Sequence, residues 1–111
     1  MPSLQQFNVN AQADVTPNGT GAQMSKSGAN NQPNQAQWHC ASVETTIKLP
    51  SAVWQVTPND GSAFAFTMPP NSTSATYTLK PTAPVGPQIY AVETKPGLEG
   101  GNTTPSIIVN P

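Results

Sequence analysis

Residues Ser74 to Thr94 read S-A-T-Y-T-L-K-P-T-A-P-V-G-P-Q-I-Y-A-V-E-T. Tyr77 and Leu79 alternate with Thr78 and Lys80, and Tyr90 and Val92 alternate with Ala91 and Glu93. A period of two places one set of side chains on each face of a strand. The stretch therefore predicts two strands, joined by a crossover that Pro81, Pro84 and Pro87 stiffen by fixing φ.

The same period extends outward in both directions. Upstream, Phe64, Phe66 and Met68 alternate with small partners, and Pro58-Asn59-Asp60-Gly61 is a turn before them. Ala52 to Thr57 reads as a short strand with Val53, Trp54 and Val56. Before it, Ala36, Trp38 and Cys40 share one face, opposite Gln37 and His39. The pattern then slips by one residue, continuing at Val43, Thr45, Ile47 and Leu49, which predicts a bulge or corner near Ala41-Ser42. Phe7 to Val15 reads as one long strand, and Pro17-Asn18-Gly19 as a turn. A weaker return strand passes through Ala22 and Met24, and Ser27 to Asn34 reads as an exposed loop. Downstream, Lys95 to Thr103 is a Gly-rich loop and Ile107-Ile108-Val109 a last strand. Thirteen prolines and the absence of a 3.6-residue period argue against long helices. Seven or eight strands separated by turn signals predict a single all-β domain over residues 1–111, an antiparallel two-sheet sandwich.

Composition removes several functions. The chain of 111 residues carries a formal charge of −1, and only 8% of its residues are charged. Its basic residues are Lys26, Lys48, Lys80 and Lys95, with no arginine, so bidentate reading of phosphate or guanine is absent and nucleic-acid binding is not expected. Cys40 is the single cysteine and forms no internal disulfide. No stretch approaches the roughly 20 apolar residues of a spanning helix, and M-P-S-L-Q-Q-F lacks the features of a signal peptide. The neutral, amide-rich surface favours an extracellular, cell-surface or virion setting over the cytoplasm.

Y-T-L-K-P, a glycine and then I-Y-A-V resemble the late strands of immunoglobulin-like and fibronectin type III sandwiches, and P-S-I-I-V-N-P resembles their closing strand. The resemblance covers the last third of the chain. It implies that Tyr90 pins the preceding corner through its hydroxyl, and it implies no activity. Cys40, without a partner, departs from the antibody-type inter-sheet bridge.

Candidate sites are few. Trp38-His39-Cys40 suggests a metal or redox centre, but adjacent strand residues point to opposite faces, and a single histidine falls short of blue-copper or three-histidine zinc sites. A buried free cysteine is ordinary core material. Asn59-Asp60-Gly61 has oxygens for calcium without the ligand series of an EF-hand, and otherwise reads as a turn. The carboxylates Asp14, Glu44, Asp60, Glu93 and Glu99 show no acid/base spacing. Trp54 and Trp38, if exposed, could stack on a sugar with Asn and Gln bonding its hydroxyls; the alternative is that they are core residues. Asn18, Asn71 and Asn102 head N-x-[ST] sequons in turns. The expectation is a non-catalytic binding or structural module without a cofactor, with a protein or glycan partner or as a homo-oligomer. A lectin-like domain is the alternative, and a small metal-binding protein centred on His39 and Cys40 the next.

Overall fold

The computed structural model describes residues 4–17, 22–95, 98–99 and 105–111. Among them are eleven strand segments: β1 Gln5–Val9, β2 Val15–Pro17, β3 Gln23–Ser25, β4 Gln35–Cys40, β5 Thr45–Pro50, β6 Ala63–Met68, β7 Tyr77–Thr78, β8 Gly86–Ile89, β9 Ala91–Thr94, β10 Leu98–Glu99 and β11 Ser106–Asn110. The only helical turn among the described residues is a 3-10 turn, Ala29–Asn31. The class is all-β, as the period of two requires. Instead of two sheets there are three, in the orders β2-β1-β4-β7, β10-β9-β5-β6 and β3-β11-β8.

Two pairings correct the antiparallel expectation. β1 runs parallel to β4, with Phe7 beside Trp38, and β3 runs parallel to β11, with Met24 beside Val109. The cause lies in the segment predicted as one strand from Phe7 to Val15. The side chain of Asn10 accepts hydrogen bonds from the N–H groups of Gln12 and Asp14, both at 2.9 Å, and Ala13 adopts φ 65°. Such local bonding competes with the strand ladder, so the chain folds back there as the β1–β2 hairpin. The return strand through Met24 then joins the last strand, not the first. Ala52–Thr57 also departs from the strand reading: turns from Pro50 place Val53 and Trp54, and only a bridge from Trp54 to Leu79 remains.

The slip after Cys40 is a corner. Cys40 ends the first sheet, Ala41 donates to the Val9 carbonyl, and Thr45 begins the second sheet with inward positions of opposite parity. Tyr90 makes a second corner between β8 and β9, its N–H donating to the Pro105 carbonyl at 3.1 Å. The inner faces of all three sheets meet in one cluster that includes Phe7, Trp38, Ile47, Leu49, Val92, Ile107 and Val109. Trp38 is its hub: Phe7 stacks on it at 5.5 Å, and Trp54 and Tyr90 meet it edge-on at 5.5 and 5.4 Å. Phe66 and Tyr77, stacked at 4.9 Å, join β6 of the second sheet to β7 of the first.

Candidate functional site

The indoles proposed for sugar stacking are core. Trp38 and Trp54 are 0% and 1% exposed. Burial of both tryptophans removes the anchor of the tryptophan-based lectin reading. The indole N–H of Trp38 donates to the Tyr90 hydroxyl at 3.1 Å. Tyr90 thus bonds across the core to β4, not back to the preceding corner as the sandwich resemblance implied. Burial pushes the Tyr90 hydroxyl far above the ordinary range for a phenol, and the Trp38 bond opposes this more weakly.

His39 and Cys40 do not come together. The Cys40 thiol is buried and donates to the Pro69 carbonyl at 3.0 Å. His39 stands on the outer face, its Nδ1 2.8 Å from the Thr73 hydroxyl. Among the described residues no group of three or more His, Cys, Asp or Glu side chains gathers.

Asn59 and Asp60 have a structural task. The Asn59 amide accepts from the Ala65 N–H at 2.7 Å and donates to the Ala65 carbonyl at 2.9 Å, while Asp60 and Ala63 exchange backbone bonds. This turn therefore occupies backbone groups on the outer edge of β6. The Asp60 carboxylate pairs with Lys48 at 3.0 Å. Other edges are closed in related ways. Gln55 donates to the Thr78 carbonyl beside β7, Ser25 donates to the Pro33 carbonyl beside β3, and Pro87 lies within β8. Strand addition by a partner needs open edge groups, so these edges disfavour it. Of the sequons, Asn71 is an exposed turn residue with φ 58°. Asn18 and Asn102, like the Pro17-Asn18-Gly19 turn beyond Pro17, lie outside the described residues.

The polar constellation that motif reading passed over lies on the outside of the first sheet. β1, β2, β4 and β7 contain no Asp, Glu or Lys. Register builds a row across three strands and an adjoining bridge, Thr16–Asn8–His39–Thr73, and beside it the pair Gln6–Gln37. Gln37 donates from its side-chain amide to the Gln6 side-chain Oε1 at 3.1 Å, and the Gln6 side chain donates to the Asn8 Oδ1 at 3.3 Å. Gln35 donates to the Thr78 hydroxyl at 3.2 Å. The sequence signal was present in Q-A-Q-W-H-C and Q-Q-F-N-V, whose alternate residues are all amides or imidazole. What it lacked was the parallel register that sets the two strands side by side.

Charge gathers on the second sheet and its flanks, where Lys48 meets Asp60, Lys95 meets Glu44 at 3.7 Å, and Glu93 lies opposite Thr46. One cavity of about 210 Å³ opens between Phe7, Val15 and Pro17 on one wall and Tyr90 and Pro105 on the other. Among the described residues its lining contains no acid, base or metal ligand apart from the Tyr90 phenol. No helix among the described residues is long and apolar enough to cross a membrane. Comparison of the chain with protein-family models, with curated proteins and with solved structures gives no match.

Proposed function

We propose that the chain is a non-catalytic binding or structural module, displayed on a surface or built into an assembly, on an immunoglobulin-like sandwich scaffold. The first and second sheets supply the two principal layers, and the third closes one side. The observation that carries the functional reading is the uncharged hydrogen-bonding face of the first sheet. Its amides are half-buried and bonded to one another, so little side-chain freedom is lost when a partner covers them. The closed edges of β3, β6, β7 and β8 disfavour strand addition there and favour contact through that face.

Retention of the chain on arrays of immobilised extracellular proteins and glycans tests this reading, together with sedimentation at rising concentration. Gln37→Glu, which places a charge in the middle of the face, should abolish binding or self-association. Lys48→Gln, on the second sheet, should leave it intact. A strictly monomeric chain that binds nothing on either array, or one whose binding responds equally to both substitutions, contradicts the proposal.

A further inference from the structure

We infer that the uncharged face of the first sheet binds a neutral glycan, an oligosaccharide rich in hydroxyls and free of carboxylate, sulfate and ammonium groups. The inference rests on the proposal that this face is the binding surface, and it names the partner's chemistry.

The first argument is charge. Gln6, Asn8, Gln35, Gln37, His39 and Thr16 occupy the outward strand positions. A charged ligand covering these rows loses water and gains no counter-charge from a carboxylate, ammonium or guanidinium, because the strands beneath it contain no Asp, Glu, Lys or Arg. The second argument concerns apolar partners. Among the described residues the exposed large hydrophobics are Leu4, 39% exposed just before β1, and Val85 and Ile89, 56% and 62% exposed at the far sheet, beside or within β8. The larger apolar exposure therefore lies away from the rows, which hold no apolar side chain of their own. What the rows accept is a ligand that is neutral and both donates and accepts.

The third argument is hydrogen-bonding capacity. A primary amide has two N–H donors and two carbonyl lone pairs. Gln37 donates to Gln6, and Gln6 donates in turn to Asn8. Gln6 thus uses one donor and one acceptor site, and its second N–H and second lone pair are left for a ligand. Sugar hydroxyls, each a donor and an acceptor at once, match such a mixed array. The relay also fixes the amides before binding, which lowers the ordering cost. Neighbouring strands stand about 4.8 Å apart, so the Thr16–Asn8–His39–Thr73 row spans several such steps and suits an extended chain more than a single ring.

The test is an NMR titration of the isotope-labelled full chain with cellohexaose, maltohexaose and hexa-N-acetylchitohexaose, with an oligogalacturonate as the acidic comparison. The expected result is shift changes for at least one neutral hexaose, centred on Gln6, Asn8, Gln37 and His39 and absent at Thr46 and Lys48. Gln6→Ala and Gln37→Ala, checked for unchanged melting temperature, should each weaken binding about fivefold, the equivalent of one neutral hydrogen bond. Lys48→Ala should leave binding unchanged. Failure of all three neutral sugars to move the face, or equal binding of the oligogalacturonate, overturns the inference. If instead the same resonances shift with protein concentration alone, a second copy covers the face: the glycan inference falls and the binding-module reading stands.

Discussion

The bond between the Trp38 indole and the Tyr90 hydroxyl ties the hub of the core to the corner between β8 and β9. Removing the hydroxyl leaves a buried N–H without its acceptor, which costs about 1–3 kcal/mol. Tyr90→Phe should therefore lower the denaturant midpoint by that equivalent without changing the slope of the transition. An unchanged midpoint would show that the bond contributes nothing. The same hydroxyl sets a pH response. Burial raises its pKa in the folded chain above the ordinary value of 10.0, so the folded state holds the proton more tightly than the unfolded state. Below pH 10 both states are protonated and this group adds no pH dependence. Above it the unfolded chain ionises first, and stability falls as pH rises. Tyr77, also raised by burial, acts in the same direction. Melting temperature should thus decline above pH 10, and less steeply in Tyr90→Phe. At this scale the sequence was legible in part. Tyr90 stood out as a pin, but its partner did not, because nothing local connects residue 90 to residue 38.

At the scale of elements, strand identity was readable where apolar residues alternate, as in β4, β5 and β6, and from the apolar run of β11. It failed where side chains bond to their own backbone. Asn10 turns a continuous alternation into a hairpin, and no count of apolar positions registers that. Pairing was less legible still, since period two says which face a residue takes and not which strand lies beside it. The rows of the candidate site depend on that missing information. The turn at Asn59 offers a direct test. Asn59→Ala removes both side-chain bonds to Ala65 and uncovers the edge of β6. Stability should fall by about 1–2 kcal/mol, and light scattering should show increased self-association through the opened edge. A variant that melts lower yet stays monomeric would assign Asn59 a stabilising role alone.

For the whole molecule, one core serves three sheets, and the single thiol lies within it. Cys40 should therefore react with a thiol reagent only through opening of the fold, at a rate that rises with denaturant in step with unfolding. Fast labelling in native buffer would mean that the first sheet opens independently of the rest. Amide- and hydroxyl-rich composition with few charges was evident from the sequence, and its separation into an uncharged sheet and a charged one emerges only from the topology.

The parallel pairing of β3 with β11 also governs the order of events during synthesis. Gln23 meets Ile108, and β11 is the central strand to which both β3 and β8 attach. On the ribosome, the third sheet cannot begin to form until β11 has left the exit tunnel, however long β3 and β8 have waited. Contacts so distant along the chain make folding slow. Met24, buried in the finished molecule, remains in contact with water or chaperones until β11 emerges.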